Sequence, residues 1–557
     1  MRWRKGVHSM RRKAMLLLIG SLTIVLSAGC AKEKNYTADT KNTGNETSAP
    51  RNKGVAKKPK ITVSVYDRGQ IPSGEGDFTN NRWTNWINEN APVEVEFIPI
   101  PRNDEVPKLT ALFASGNAPD LVFTYSGVLR NDLFAQKQTL PLDDLIEKHS
   151  VEYKNLLHQY PAVRKLGMQL DGKIHTLTRV TGLMGANHTL QIRADWLKKL
   201  KLDIPKTTEE LFNVAKAFAE LDPDGNNKKD TYGIQLSALG DSVIDHMYNY
   251  AVPYLFDSKQ QLVRDWERAK VVTEYKKRFY DAGLVDKDYL TDVNGEKAKQ
   301  DWVNGKLGIR FGNVSVISLP EFETLKKNNP AAEVIVIPLP ESPYGQFSPA
   351  FDVPVGPYGF VNAKAKNPEA VIQYIDFLNK ESTIRTLKYG FEGEHWKKGD
   401  NGCPAPIDIE KNKKELNWNF DYWTPPASTI FLGECALPEK AYDPNIQIQK
   451  EFINLILQAK EAYISPKRPK GEDVGFMPPF PSDLQLIQAG STEEYLALYQ
   501  KSIVGGTKYS VEQAVNEAKT NWLKRGGEKV DKFIIDYYTN RKDIAFISKV
   551  DTYAGFK

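Results

Sequence analysis

The sequence predicts an α/β fold, with parallel strands covered by helices, on three observations. Between residues 60 and 125, runs of alternating apolar and polar residues are separated by stretches of helical spacing; this β-α-β-α-β order calls for parallel strands joined by crossover helices. The chain has 557 residues, 41% hydrophobic and 26% charged, with a mean hydropathy of −0.48, enough for a large core in roughly two to four domains. Further strands are expected at Leu307–Phe311 and at the wholly apolar Val334–Ile337, so a second unit, beginning after Gly172-Lys173-Ile174-His175, follows the first.

In chain order, residues 1–29 comprise a basic start, an apolar run from Ala14 to Leu26, and Ser27-Ala28-Gly29 before Cys30. This pattern reads as a signal peptide, with Met1 or Met10 as the start. The apolar run is shorter than the roughly 20 residues of a membrane-spanning helix. The segment holds Arg2, Arg4, Lys5, Arg11, Arg12 and Lys13 and no acid, so it accounts for the net charge of +5: removing those six bases from 75 leaves 69 against 70 acids. A near-neutral body gives no reason to expect nucleic acid. From Ala31 to Lys60 there are almost no aliphatics beyond Val55, a composition that cannot offset its chain entropy by burial and reads as a flexible tether.

Strands are expected around Ile61, Val63 and Val65, around Val93, Val95 and Phe97, and at Leu121-Val122-Phe123. Helices are expected over Asp77–Asn90 and Asp104–Ser115, the latter with Leu109, Leu112 and Phe113 at helical spacing and Gly116 as its stop. Ligands of such sheets bind beyond the carboxyl ends of the strands, where Tyr125 lies. Thr207-Thr208-Glu209-Glu210 forms a capping box for a helix with Leu211, Val214, Ala215 and Phe218 on one face. Ser510 and Gln513 open another, with Val511, Ala514, Val515 and Ala518, ended by Gly526-Gly527. Cys403 and Cys435 either pair or remain thiols, since two cysteines are no disulfide framework.

One loop has metal-ligand spacing. Asp222, Asp224, Asn226 and Asp230 offer side-chain oxygens at positions one, three, five and nine of an EF-hand-type loop, and Lys228 a backbone carbonyl at position seven. Ca²⁺ takes six to eight such oxygens. Asn227 replaces the usual glycine at position six, and Gly233 stands where a carboxylate is expected at position twelve. A structural Ca²⁺ is the leading expectation; an Asp/Asn/Gly surface turn is the alternative.

Ala111-Leu112-Phe113-Ala114-Ser115-Gly116-Asn117-Ala118-Pro119-Asp120, Ile192–Leu197, Leu221–Gly233 and Tyr389-Gly390-Phe391-Glu392-Gly393-Glu394-His395-Trp396 together resemble bacterial extracellular solute-binding protein family 1. Within it they resemble the large lipoproteins related to alginate-oligosaccharide-binding proteins of ABC importers. Leu26–Cys30 resembles a lipobox, with Ser27 where leucine is usual, and so implies lipidation of Cys30. The resemblance implies a two-lobed periplasmic-binding-protein-like fold with hinge strands. Its parts would be a signal peptide (1–29), a lipid-anchored tether (30–59), an N-terminal lobe (60–180 plus 338–398) and a C-terminal lobe (181–337 plus 399–557). Crossings are expected near Thr176–Ala186, Ile337–Phe351 and Glu394–Cys403. It further implies a monomer on the outer face of the cell membrane that closes on an oligosaccharide and passes it to permease subunits. In the related alginate-binding proteins an acid follows position nine of the calcium loop; here it is Thr231.

Sugar sites pair aromatic platforms with planar polar groups. The expected contacts are Trp83, Tyr125, Trp302, Arg310, Trp396, Trp418 and Trp423, with Arg193 a weaker candidate because Asp195 is placed to pair with it. Trp196 and Trp522, in amphipathic helices, are expected in the core, and His395 is expected to be structural. A secreted polysaccharide-degrading enzyme is the competing class. The chain has no His-Glu-x-x-His, no Gly-x-Ser-x-Gly and no phosphate-binding loop, whereas a glycosidase needs only two well-spaced carboxylates. A peptide-binding or sensory lipoprotein is the other alternative.

Overall fold

Alternating side chains in the first strands decide where the first sheet lies. The computed structural model describes residues 57–180, 186, 188–250, 253–256, 261–314, 318–348, 357–464 and 480–540. The signal peptide, Cys30 and nearly all of the tether lie outside these residues, as do parts of the first two expected crossings. Twelve strands are described: β1 Lys60–Asp67, β2 Glu94–Pro101, β3 Leu121–Thr124, β4 Thr189–Arg193, β5 Tyr232–Ile234, β6 Tyr254–Phe256, β7 Leu262–Arg264, β8 Leu307–Gly312, β9 Val334–Ile337, β10 Tyr358–Val361, β11 Trp396–Lys398 and β12 Pro404–Pro406.

The first sheet runs β10-β3-β1-β2, with β1 parallel to both β2 and β3, and β10 antiparallel to β3. The expected parallel unit is therefore present. Ile61, Val63 and Val65 of β1 face one core with Trp83 and Ile87, whereas Ile100 and Val122 face another with Leu109 and Phe113. The helix after β1 and the helix after β2 thus cover opposite faces. The helix expected from Asp77 begins at Arg82: Asn81 caps it by accepting from the N–H groups of Trp83 and Thr84, and Thr84 Oγ1 accepts from Asn81 N–H. The four preceding residues instead turn on Asp77, whose carboxylate accepts from Thr79 and Asn80. The helix expected over Asp104–Ser115 spans Glu105–Ala114.

The second sheet runs β5-β8-β4-β9, with β4 antiparallel to β8 and β9, and β5 parallel to β8. The helix Thr208–Glu220 carries the expected capping box and buries Leu211, Val214, Ala215 and Phe218. Tyr463 ties the helix Gln447–Tyr463 to this sheet by accepting from Leu190 N–H at 3.0 Å and donating to the Ile337 carbonyl. The helix Val511–Lys524 has its Ser510–Gln513 box as expected. At the β6–β7 hairpin, the Arg264 guanidinium lies 3.8 Å over Trp522 and pairs with Asp531 at 3.0 Å, fastening the hairpin to the last two helices.

These are two lobes with separate cores, and the chain passes between them more than once. The last passage falls later than expected. Leu416, Trp418, Tyr422, Trp423, Ala427 and Leu432 all pack in the first core, and the chain joins the second core only at Tyr442. Residues 416–432, which follow the crossing expected near Glu394–Cys403, therefore pack with the first core. The segment before 181 is bound to the same region, with Val180 N–H donating to Ser428 Oγ at 3.1 Å. Cys403 and Cys435 form a disulfide spanning 32 positions. No helix among the described residues is long and apolar enough to cross a membrane.

Closing a loop of this size is worth about 2–4 kcal/mol. Replacing both cysteines by alanine is expected to lower unfolding free energy by that amount in urea denaturation. A midpoint indifferent to reductant would contradict it.

Candidate functional site

Strand order dictates where this sheet can hold a ligand. The chain passes from β1 to β2 on one side and then to β3 on the other, with the connecting helices on opposite faces. That reversal opens a crevice at the carboxyl ends of β1 and β3, where open α/β sheets bind their ligands. Tyr66, the penultimate residue of β1, and Tyr125, just past β3, stack there with ring centroids 5.7 Å apart and planes at 21°. Tyr125 is 42% exposed while Tyr66 is buried. Burial pushes the Tyr66 phenol well above its usual pKa, so it stays a neutral donor to the Phe123 carbonyl at 3.3 Å.

Arginines lie against these rings. Arg102, just past β2, places its guanidinium carbon 5.1 Å from the Tyr66 centroid and 4.7 Å from that of Tyr125. Arg68 lies 5.5 Å from Tyr66 and 5.2 Å from Phe420, and forks to Asp421 at 2.7 and 3.2 Å. Burial pushes the Asp421 carboxyl up, and Arg68 opposes that shift. Gln70 also donates to Asp421 at 3.2 Å. The result is a tyrosine pair flanked by planar cations, suited to an apolar sugar face and its polar rim.

Of the sequence-predicted contacts, Tyr125 is at this crevice. Trp83 is 1% exposed, donates from Nε1 to the Glu415 carbonyl at 2.7 Å and stacks on Phe391 at 6.0 Å. Trp418 and Trp423 are buried in the same core and bonded to Lys414 O and Asn419 Oδ1. Trp302 is buried with Leu307 and Leu325. Arg310 pairs with Glu321 and lies 5.9 Å from the Trp302 centroid, and burial pushes its pKa down. Arg193 is 3% exposed, forks to Asp195 at 2.8 and 2.6 Å and covers Trp196 at 4.6 Å. The structure places these six in packed cores or ion pairs, away from Tyr125. Large aromatic area is worth more inside a core than on a rim, and each indole N–H of the first-core tryptophans has found an acceptor there. Trp396 is half-buried and lines a separate pocket of about 270 Å³ beside the disulfide and Lys388.

The crevice residues Tyr66, Arg68, Arg102, Phe420 and Asp421 were not singled out in the sequence. For Tyr66, Arg68 and Arg102 the signal was present: each stands at or within two residues of the carboxyl end of a parallel strand. For Phe420 and Asp421 there was none, because they arrive from far along the chain.

Asp222–Asp230 forms a tight loop, with Asp222 and Asn227 at φ of +50° and +59°. Asn227 thus adopts the left-handed conformation that the replaced glycine would have supplied. The Asp222 carboxylate accepts from Asn226 and Asn227 N–H at 3.1 and 3.0 Å. The Asn226 amide donates to Asp224 at 2.6 Å and to Asp230 at 3.0 Å. Burial and the adjoining Asp222 push the Asp224 carboxyl up, so these carboxylates crowd one another around an amide donor. Such an acid set fits a hard divalent cation, with the Lys228 carbonyl available in the same loop. By contrast, the Glu394–His395–Glu415 group is served by protein cations. Arg82 lies 2.5 Å from Glu415 and Lys411 3.0 Å from Glu394, while buried His395 accepts at Nδ1 from Phe391 N–H at 3.2 Å. His395 is wholly buried there.

Residues 81–383 match the family described as bacterial extracellular solute-binding protein. The chain is 26% identical over 377 residues to the polygalacturonan/rhamnogalacturonan-binding protein YtcQ of Bacillus subtilis, covering 64% of this chain and 70% of that one. It is 25% identical over 414 residues to the lipoprotein LipO of the same organism, covering 70% and 76%. Among solved structures, it shares its fold with the Streptococcus pneumoniae ABC-transporter substrate-binding protein FusA in complex with kestose (TM-score 0.65, 18% identity, 87% and 99% covered). It shares it also with the alginate-binding protein AlgQ2 without calcium ion (TM-score 0.64, 19% identity, 87% and 99% covered).

Because Trp83 and Trp423 are core side chains, alanine at either is expected to cost about 3–5 kcal/mol of unfolding free energy, against less than about 1 kcal/mol for Tyr125→Ala. Urea denaturation of the three variants measures this. Equal losses would contradict the assignment.

Proposed function

The chain belongs to the bacterial extracellular solute-binding protein family, and on that premise we propose that it captures an oligosaccharide between its lobes and delivers it to the permease of an ABC importer. The carrying observation is half-exposed Tyr125 stacked on buried Tyr66, flanked by Arg68 and Arg102, at the reversal of strand order. The ligands of relatives support a sugar: one binds polygalacturonan and rhamnogalacturonan, and a solved neighbour holds kestose. Capture needs only complementary surfaces and hinge closure, with no bond made or broken.

One lobe comprises 57–180 and 357–432 and the other 188–337 and 442–540, a division supported by which residues share a core. The protein acts as a monomer on the outer face of the membrane, anchored by a lipid on Cys30; the LipO relative, a lipoprotein, supports this. A structural Ca²⁺ is held by Asp222, Asp224, Asn226, Lys228 and Asp230, remote from the sugar.

In thermal-shift measurements across a glycan panel, a ligand at 100 times its dissociation constant is expected to stabilise the protein by about 2.7 kcal/mol. Tyr125→Ala is expected to abolish that shift. Release of shortened products would mark an enzyme instead, and no shift with any glycan would remove the sugar reading. EDTA is expected to lower the unfolding temperature, with Ca²⁺ restoring it. An unchanged temperature with no bound metal would remove the calcium assignment.

A further inference from the structure

The pocket of about 270 Å³ beside the disulfide shares no residue with the crevice, and its walls are fixed without a ligand. One wall comes from the β11–β12 hairpin, with Trp396, Cys403, Pro404 and Pro406, and the other from the segment Cys435 to Ala441. The Cys403–Cys435 disulfide staples the two. Asn401 Nδ2 repeats that link by donating to the Lys440 carbonyl at 3.0 Å. Tyr389 Oη, from the helix Glu381–Tyr389, donates to the Cys435 carbonyl at 2.8 Å, and Trp396 Nε1 to the Gly390 carbonyl at 3.1 Å. A cavity held in this way is preorganised, so little ordering cost falls on a ligand.

The lining is apolar on most sides and carries charge of one sign. Trp396, Pro404, Pro406, Leu416 and Leu437 supply flat and aliphatic surface, Lys388 and Lys440 also line the pocket, and no carboxylate does. Glu439, next to Lys440 in the chain, is engaged by Lys460 at 2.9 Å. Lys388 is half-buried, with Nζ 5.0 Å from the centroid of the Tyr389 ring. Among the described residues neither a carboxylate nor any other acceptor pairs with this ammonium. Burial alone pushes its pKa down, to about 8. The Tyr389 phenol is pushed up, to about 12, so it offers no negative charge in exchange.

An ammonium held out of water with unused donors is costly unless an anion completes it. Small-molecule sites have this make-up: apolar walls with a few polar groups that fix orientation. Proline and leucine walls give nothing to a hydroxyl-covered ring, whereas they gain by covering an apolar one. We infer that this pocket is a second binding site, for a small aromatic carboxylate whose ring lies against Trp396 and the proline and leucine side chains while its carboxylate pairs with Lys388.

Calorimetric titration of the mature chain with four probes tests this: phenylacetate, its neutral amide phenylacetamide, the cation phenethylamine, and galacturonate, which has the charge of phenylacetate without its apolar body. Phenylacetate is expected to bind tightest, by about tenfold over the amide, with affinity falling as salt rises. Lys388→Met is expected to weaken phenylacetate about tenfold and leave phenylacetamide within about twofold, while Lys388→Arg keeps the preference for the anion. Because the native ammonium is unpaired, Lys388→Met is also expected to leave the urea midpoint unchanged or raised; a lowered midpoint would show that Lys388 is already satisfied and would overturn the proposal. So would phenylacetate binding no tighter than its amide, galacturonate binding as tightly as phenylacetate, or no phenylacetate binding in the millimolar range. None of these outcomes bears on sugar capture at the crevice.

Discussion

One topological constraint underlies the site: the first sheet reverses its strand order at β1. A chain that builds one neighbour of β1 and then the other must send its connecting helices to opposite faces, and no helix then roofs the carboxyl ends between them. Side chains there have a packed layer beneath and solvent above. Tyr66 buries its ring and leaves Tyr125 to be stacked upon it, and Arg102 reaches back across both. The crevice follows from the connectivity, and the aromatic and cationic residues are what this sequence has placed in it.

The remaining large aromatics serve the lobes rather than the crevice. Trp83, Trp418 and Trp423 unite the first helix with the chain that returns after β10, and their indole nitrogens are satisfied within that core. The stretch from Leu416 to Leu432 thereby belongs with residues from the beginning of the body, separated by more than 300 positions in sequence. The disulfide reinforces the same stretch. A rigid wall built in this way holds the crevice rings in place with little help from the ligand, which lowers the ordering cost of binding.

Local patterns made the architecture legible. The period of Ile61, Val63 and Val65, the capping boxes at Thr207 and Ser510, and the β-α-β-α-β order each state a short-range preference that the fold keeps. The crevice was only partly legible. Tyr125 follows its strand and was found, and Arg68 and Arg102 obey the same positional rule. The partner acid Asp421 and the ring of Phe420 reach the edge by tertiary packing, which no spacing in the chain encodes. The tryptophans are hard to place from sequence for a physical reason: the side chains best suited to a sugar face are also those that gain most from complete burial. Arg68 and Arg102 likewise sit in separate segments, so no local pattern in the chain shows a grouping that only the sheet creates.

Hydrogen exchange with and without a bound oligosaccharide tests the central claim most directly, because it reports where capture occurs. Slowed exchange is expected at the amides just after β1, β2 and β3, around Arg68, Arg102 and Tyr125, together with protection on the facing lobe. Protection confined to the pocket around Trp396, or no change at the strand ends under saturating ligand, would contradict it.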